Sequence, residues 1–412
     1  MNFLYARLAA LVLSLSTSFA QAQSDQALWT ELLQLRQEMQ QLKNELQQLQ
    51  AERRTAISTA PAMSAGGQTE TALEPALLAQ GVDMVPALES ESRVHLFGYG
   101  ELAYTRPLRN TAQTLATARR GVLGFAYRFN DRTRFAAELE VENAVVSASD
   151  QGEVAFEQLY VEHDIDEQLT AKAGLFLLPI GYMNETHEPT RYFGVTRNLV
   201  ETAIIPTTWR EMGLGLRGRT PEGWRWDAGL VTSFDLNKWP TSSDGTADTK
   251  SSPLGAIHQE GSLANAASLA YYGVVNYDGH PGVNVGGGLF KGGLNQRQPS
   301  TRVALKGAQV SLYELHAKWQ YQKWELSGLT ALGQFDGVAN FNSSTSADNP
   351  VPKQFKGWYA QAAYRAWQKG DYSLVPFARY ERLNTALGYS GLPAGLTPGN
   401  DPDTRTVTAG FS

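Results

Sequence analysis

The chain has 412 residues, a net charge of -6, no Cys, 38 Gly, 10% aromatic and 18% charged residues. The acidic balance argues against a nucleic-acid partner, which wants a basic face, and the absence of Cys excludes disulfide staples and thiolate chemistry. Past the N-terminus no stretch is apolar enough for a spanning helix, whereas a mean hydropathy of -0.32 suits a transmembrane barrel, in which only alternate residues meet lipid.

Residues 1-22 combine Arg7, an apolar run from Leu8 to Leu15 and the small-x-small Ala20-Gln21-Ala22, the form of a cleaved export signal. Ser14, Ser16, Thr17 and Ser18 interrupt the run well short of the ~20 residues of a membrane anchor.

Residues 23-54 carry the strongest periodicity. Leu28, Leu32, Leu35, Met39, Leu42, Leu46 and Leu49 alternate in spacings of four and three, with Gln, Glu, Lys and Arg between them. That narrow stripe is the seam of an α-helical coiled coil that associates with copies of itself, with a trimer preferred, rather than the broader face of a single amphipathic helix. From 55 to 92 the chain turns to Ala, Ser, Thr, Gly and Pro without period, the composition of a flexible tether.

From 93 to 412 the period is two, in runs of roughly ten residues divided by turn chemistry. Leu123, Phe125, Tyr127 and Phe129 alternate with small and charged residues, and Phe135, Ala137, Leu139 and Val141 alternate with Arg134, Glu138, Glu140 and Glu142. Similar runs are Trp224 to Phe234, Leu269 to Tyr277, Val310 to Tyr321, Trp324 to Phe335, Trp358 to Trp367 and Tyr372 to Arg382, making about fourteen strands in all. Short turns such as Asn130-Asp131 and Gln322 alternate with long loops such as 179–208 and 235–264. Tyr104, Trp209, Trp224, Trp319, Tyr321, Trp324, Trp358 and Trp367 are expected at the lipid headgroups. The fold class is therefore all-β, a transmembrane antiparallel β-barrel preceded by the helical coiled coil. Thr408 to Ser412 looks like the start of a strand more than its end, so the expectation is a C-terminally truncated barrel of about sixteen strands, with closure at about fourteen as the alternative.

A passive lumen needs no catalytic residue, metal or cofactor. Gly213-Leu214-Gly215-Leu216-Arg217-Gly218 has the form of a dinucleotide fingerprint, but Pro221-Glu222-Gly223 and another strand follow where a helix is required, so these are small residues on a strand. His95, His163, His187, His258, His280 and His316 show no metal-ligand spacing. The loop from Pro179 to Thr208 is the functional candidate. Folded inward, it would place His187, Arg191, Arg197 and the nearby Arg210 at a pore constriction against Glu185, Glu188 and Glu201, and Glu211 would add to the opposing field. The alternative is that these charges pair with one another and pin the loop to the wall. Alternation also sends Arg120, Arg128, Lys172, Arg217, Arg219, Arg225, Lys318, Arg365 and Arg379 into the lumen, against Glu138, Glu140, Glu142, Asp227, Glu314 and Glu381.

Gly174-Leu175-Phe176, Pro179-Ile180-Gly181, the segment from Asn184 to Pro189, Arg197-Asn198 and Ile205-Pro206-Thr207-Thr208-Trp209 resemble the loop region of the phosphate-selective porin O and P family, and the heptads resemble those of its trimeric dicarboxylate-linked relatives. The resemblance implies a trimeric, sixteen-stranded porin with the loop after the fifth strand as its constriction. Acidic residues interleave the arginines here, a departure from the unbroken arginine ladder of phosphate-specific members. The expectation is an outer-membrane porin, with its coiled coil in the periplasm, passing small hydrophilic solutes with a preference for small anions such as dicarboxylates. The partners implied are outer-membrane lipid and further copies of the chain. The competing readings are an envelope interaction protein that uses its barrel as an anchor, and a barrel enzyme.

Overall fold

The computed structural model describes residues 93–146, 152–240, 252–296, 305, 307–344, 349–392, 394–398 and 403–412. The export signal, the heptad seam and the tether lie outside the described residues.

The first eight strands are β1 (Val94–Thr105), β2 (Leu115–Arg128), β3 (Thr133–Glu142), β4 (Val154–Asp164), β5 (Leu169–Leu177), β6 (Arg210–Arg219), β7 (Trp224–Thr232) and β8 (Leu269–Tyr277). The second eight are β9 (Val283–Gly293), β10 (Gln309–Tyr321), β11 (Trp324–Asp336), β12 (Gln354–Tyr364), β13 (Trp367–Lys369), β14 (Tyr372–Leu374), β15 (Pro376–Leu387) and β16 (Thr404–Phe411). Fourteen of them form one antiparallel sheet in the order β1 to β12, β15, β16, as the alternation led one to expect. The run from Tyr372 to Arg382 divides, because β13 and β14 form a separate ribbon at the turn between β12 and β15.

Turns at one end are tight. β10 and β11 pair as far as Tyr321↔Trp324, so Gln322 and Lys323 alone make the turn, and Gln322 takes a positive φ of 53°. At the other end the connections are long, and the one between β5 and β6 turns back into the sheet. Its neighbours Gly194 and Val195 reach opposite margins: Gly194 N donates to Ser412 Oγ beyond β16 at 2.9 Å, and Arg119 of β2 donates to the Val195 carbonyl at 3.2 Å. A sheet whose two margins touch adjacent residues must be curled around them. β1 and β16 are not paired with each other among the described residues.

The two faces are inverted relative to a soluble protein. Leu96, Leu123, Leu214, Leu230, Leu315 and Val407 are 56–74% exposed and fall on strands from β1 to β16, making an apolar belt on the convex face. The concave face buries Glu138, Lys172, Asp227, Glu314 and Arg379. Aromatic pairs flank the tight turns, with Trp224 and Tyr277 rings 4.9 Å apart and Trp324 and Tyr364 rings 4.8 Å apart. Trp209 does not join this girdle. It is 1% exposed and packs inside on Phe234 and Phe290, because the returning loop delivers it to the interior. Trp358 sits in the middle of β12, paired across to Thr330, instead of at a strand end.

Gly174 marks the closest approach of two strands. Its φ is +134°, and an added Cβ would lie 2.4 Å from the Leu159 carbonyl oxygen and 2.7 Å from Tyr160 Cα. Gly174→Ala should therefore cost about 2–4 kcal/mol and lower the urea midpoint of the folded protein. An unchanged midpoint would mean that β4 and β5 separate freely at this point.

Candidate functional site

The loop between β5 and β6 closes on itself before it reaches across. Asn184 donates from Nδ2 to the carbonyls of Leu178 and Trp209, and its Oδ1 accepts from Trp209 N at 2.6 Å. One buried amide thus joins the outgoing and returning limbs, satisfying backbone groups that burial would otherwise leave without partners.

Glu201 holds the middle. It lies in the short π-helical turn Val200–Ile204 and is 3% exposed. Its Oε1 accepts from the backbone N–H of Tyr182 at 2.6 Å and of Met183 at 2.8 Å; its Oε2 accepts from Asn198 Nδ2 at 2.7 Å and Tyr359 Oη at 3.0 Å. Tyr359 belongs to β12, on the far wall. Burial pushes the Glu201 carboxyl above its ordinary value, although these hydrogen bonds pull the other way.

From this knot the loop reaches most of the wall. Tyr182 packs at a tilt against the His316 ring of β10, centroids 4.4 Å apart, and donates to the Asn284 carbonyl of β9 at 3.4 Å. Leu199 N donates to Glu381 of β15, and Phe193 stacks 5.8 Å from Phe377 on the same strand. Glu185 accepts from Arg217 of β6 at 2.6 Å, and His187 meets Glu157 of β4 at 3.3 Å. The loop therefore crosses the enclosed space instead of projecting outward.

The seven expected constriction residues separate into groups. Glu185, His187 and Glu201 are all engaged as described, so their main visible work is to fix the loop. Arg191 stands 3.9 Å from Glu188 and is 38% exposed. Arg210 is not brought to the others: it shares the outward register of Met212 and Leu214, and its guanidinium lies 3.4 Å from Glu260 and 4.0 Å from Glu153, both in other loops. Counting from the loop alone placed it wrongly, because it opens β6 one residue out of phase with the inward Glu211. Glu211 faces in, hydrogen-bonded to Trp209 Nε1 at 3.1 Å and to the Thr232 hydroxyl.

Arg197 differs from the rest. Its guanidinium donates to the hydroxyls of Thr207 and Thr208, and it makes no ion pair among the described residues. Burial and the neighbouring charge of Arg120 hold it below its ordinary value. A guanidinium with no carboxylate in contact thus faces the β2 wall, in the opposing fields of Arg120 and Glu157.

Around the inner face of the sheet most cations are already neutralised. Arg120 bonds Glu101 at 3.0 Å and Glu140 at 2.9 Å, with Glu142 at 3.9 Å. Lys172 and Arg217 share Asp227, Arg225 pairs with Asp278, and Arg379 pairs with Glu381. Arg219 donates to the Glu167 carbonyl, and Lys318 lies 5.2 Å over the Tyr182 ring. Arg128 ends β2, and Arg365 stands exposed just past β12, both by the tight turns. The glycine run of β6 serves packing: a Cβ at Gly215 would strike Tyr272 Oη and Lys172 inside, and one at Gly218 the Trp226 ring outside.

Two residues that matter here, Tyr359 and Glu157, escaped the sequence, and the role of Asn198 as a donor to Glu201 was not visible in the Arg197-Asn198 pair. Tyr359 carries no local pattern. Glu157 did leave a signal, because the apolar positions Val154 and Phe156 change phase to Leu159 and Val161, which marks a bulge between them.

No protein-family model matches the chain. Among known proteins it is similar to an uncharacterized protein of Aquifex aeolicus (strain VF5), 28% identical over 329 residues, 77% of this chain and 72% of that protein. Among solved structures it is similar to an anion-selective porin from Comamonas acidovorans, 14% identical, covering 71% of this chain and 78% of the other with a TM-score of 0.45. It is likewise similar to OmpF of Salmonella typhi, 10% identical over 71% of this chain and 78% of that one, TM-score 0.46. For the outer membrane channel DcaP of Acinetobacter baumannii the identity is 11%, the coverage 72% and 93%, and the TM-score 0.35.

Proposed function

We propose that this chain is an outer-membrane porin for passive diffusion of small hydrophilic solutes, with a preference for small anions such as dicarboxylates. The observation that carries the reading is the β5–β6 loop, which crosses the interior of a polar-lined, apolar-jacketed sheet and holds Arg197 without a carboxylate partner. A narrowed aqueous path with fixed positive charge sorts ions by sign without any chemical step. A dicarboxylate fits because guanidinium groups present paired donors to each carboxylate. The proposal extends to a homotrimer in the outer membrane, held in register by the heptads of Leu28 to Leu49 on the periplasmic side.

Full-length protein in planar bilayers under a salt gradient tests this. Stepwise openings with a reversal potential on the anion side are expected, and succinate should reduce the chloride current. A cation-side potential would retire the anion preference, and silent bilayers would retire the channel.

A further inference from the structure

β3 and β4 break register where the loop descends. Their pairing passes from Glu138↔Gln158 to Leu139↔Phe156, so Glu157 is the extra residue of a bulge, and the bulge aims its carboxylate inward. Glu157 is fully buried at 0% exposure; its Oε1 meets no N–H or hydroxyl donor, and a further carboxyl, that of Glu140, lies at hydrogen-bond range of the group. Oε2 of Glu157 stands 3.3 Å from Nε2 of His187, a loop residue 3% exposed. Glu138, 2% exposed, supplies a second carboxylate steadied by Gln158 Nε2 at 2.8 Å. One oxygen or nitrogen from each of the three lies within 4.8 Å of the others.

Two buried carboxylates side by side repel, and neither forms an ion pair with an arginine or lysine among the described residues. Arg120 is already bound to Glu101 and Glu140, Arg210 to Glu260, and Arg197 to the Thr207 and Thr208 hydroxyls, so the cations whose fields reach Glu157 stand on other partners. The ring of His187 is set for coordination: Nδ1–H donates to the Asn184 carbonyl at 3.1 Å, which leaves the Nε2 lone pair directed at the carboxylates. We propose that Glu138, Glu157 and His187 bind a divalent first-row transition ion such as Zn²⁺, tying the inward loop to the β3–β4 wall. Bonds of about 2.0–2.1 Å in a tetrahedral site put ligand atoms about 3.3 Å apart, so the Glu157 and His187 pair already has the spacing and Glu138 has to close by up to about 1.5 Å. One imidazole with two carboxylates suits Zn²⁺, Mn²⁺ or Fe²⁺, whereas Ca²⁺ and Mg²⁺ take oxygen ligands. A fourth position is left for water.

The test uses full-length protein refolded in detergent and stripped with a chelator, titrated with Zn²⁺ by calorimetry and assayed for bound metal after desalting. The expected result is one Zn²⁺ per chain, with affinity falling at least tenfold in Glu157→Gln and in His187→Gln, and an X-ray absorption edge fitted by one imidazole nitrogen plus oxygens. Heat-modifiable gel migration checks that each variant folds, and Glu138→Gln serves in place of one that does not. Absence of stoichiometric Zn²⁺ in the wild type overturns the proposal in favour of an imidazolium–carboxylate pair. Binding that survives these substitutions overturns it as well, as does an edge that shows two or more imidazoles.

Discussion

Replacing Glu201 with Ala should release the loop. The substitution deprives the N–H groups of Tyr182 and Met183, the Asn198 amide and the Tyr359 hydroxyl of their common acceptor. Stranding buried donors costs about 1–3 kcal/mol each, and partial entry of water brings the sum to roughly 4 kcal/mol. The expected readout is a larger and noisier single-channel conductance together with new protease cleavage between 180 and 205. Tyr359→Phe removes one donor only, so about 1 kcal/mol and a small rise in noise are expected. Unaltered conductance and protease resistance in Glu201→Ala would show that the other wall contacts hold the loop alone. The same carboxylate sets a pH dependence. Its value in the docked loop is raised above the ordinary 4.5, so the docked state binds a proton that a free loop would not. Docking is therefore strengthened as pH falls from above the raised value toward 4.5, and it weakens as pH climbs through that window. Acidification should quieten the open channel.

Arg197→Glu should reverse the sign of ion selectivity, and Arg197→Ala should bring it close to neutral. A unit charge about 6 Å from a permeating ion, at an effective dielectric of about 40, contributes about 1.4 kcal/mol, a roughly tenfold bias in local concentration before salt screening. Removing one charge abolishes that factor and inverting it doubles the change. Arg191 and Arg210 make useful contrasts, since the first pairs with Glu188 and the second lies on the outward register under Glu260. Their alanine variants should leave the reversal potential close to that of the wild type. Equal shifts in all three would mean that a diffuse positive field, and not the single guanidinium, sorts the ions.

Strand positions were legible because each apolar-out, polar-in wall repeats every second residue, and Leu269 to Tyr277 could be bounded to the residue. The inward path of the loop was legible only as composition. Which of its charges are spent on docking depends on partners in other strands, from 30 residues away for His187 with Glu157 to 158 for Glu201 with Tyr359, and no local pattern reports that. Trp209 was misplaced for a related reason: an aromatic at a strand start looks the same whether lipid or a folded loop lies beside it. Glu157 falls where alternation slips by one residue, and Arg210 lies at the junction of loop and strand, where position in the loop does not tell which face the strand will give it.

The docked loop also dictates an order of assembly. Sheet neighbours are also neighbours in sequence, joined by one turn or loop, but Leu199 meets Glu381 across 182 residues and Gly194 meets Ser412 across 218. Contacts of such long range form only after the intervening wall has been laid, since the chain entropy of closing so large a loop is offset by nothing until then. The narrowing is thus the last part of the molecule to form. For the porin proposed above, a barrel caught during insertion would be a wide, unselective hole, and the time between wall and loop would be the interval in which the cell is exposed to leakage through it.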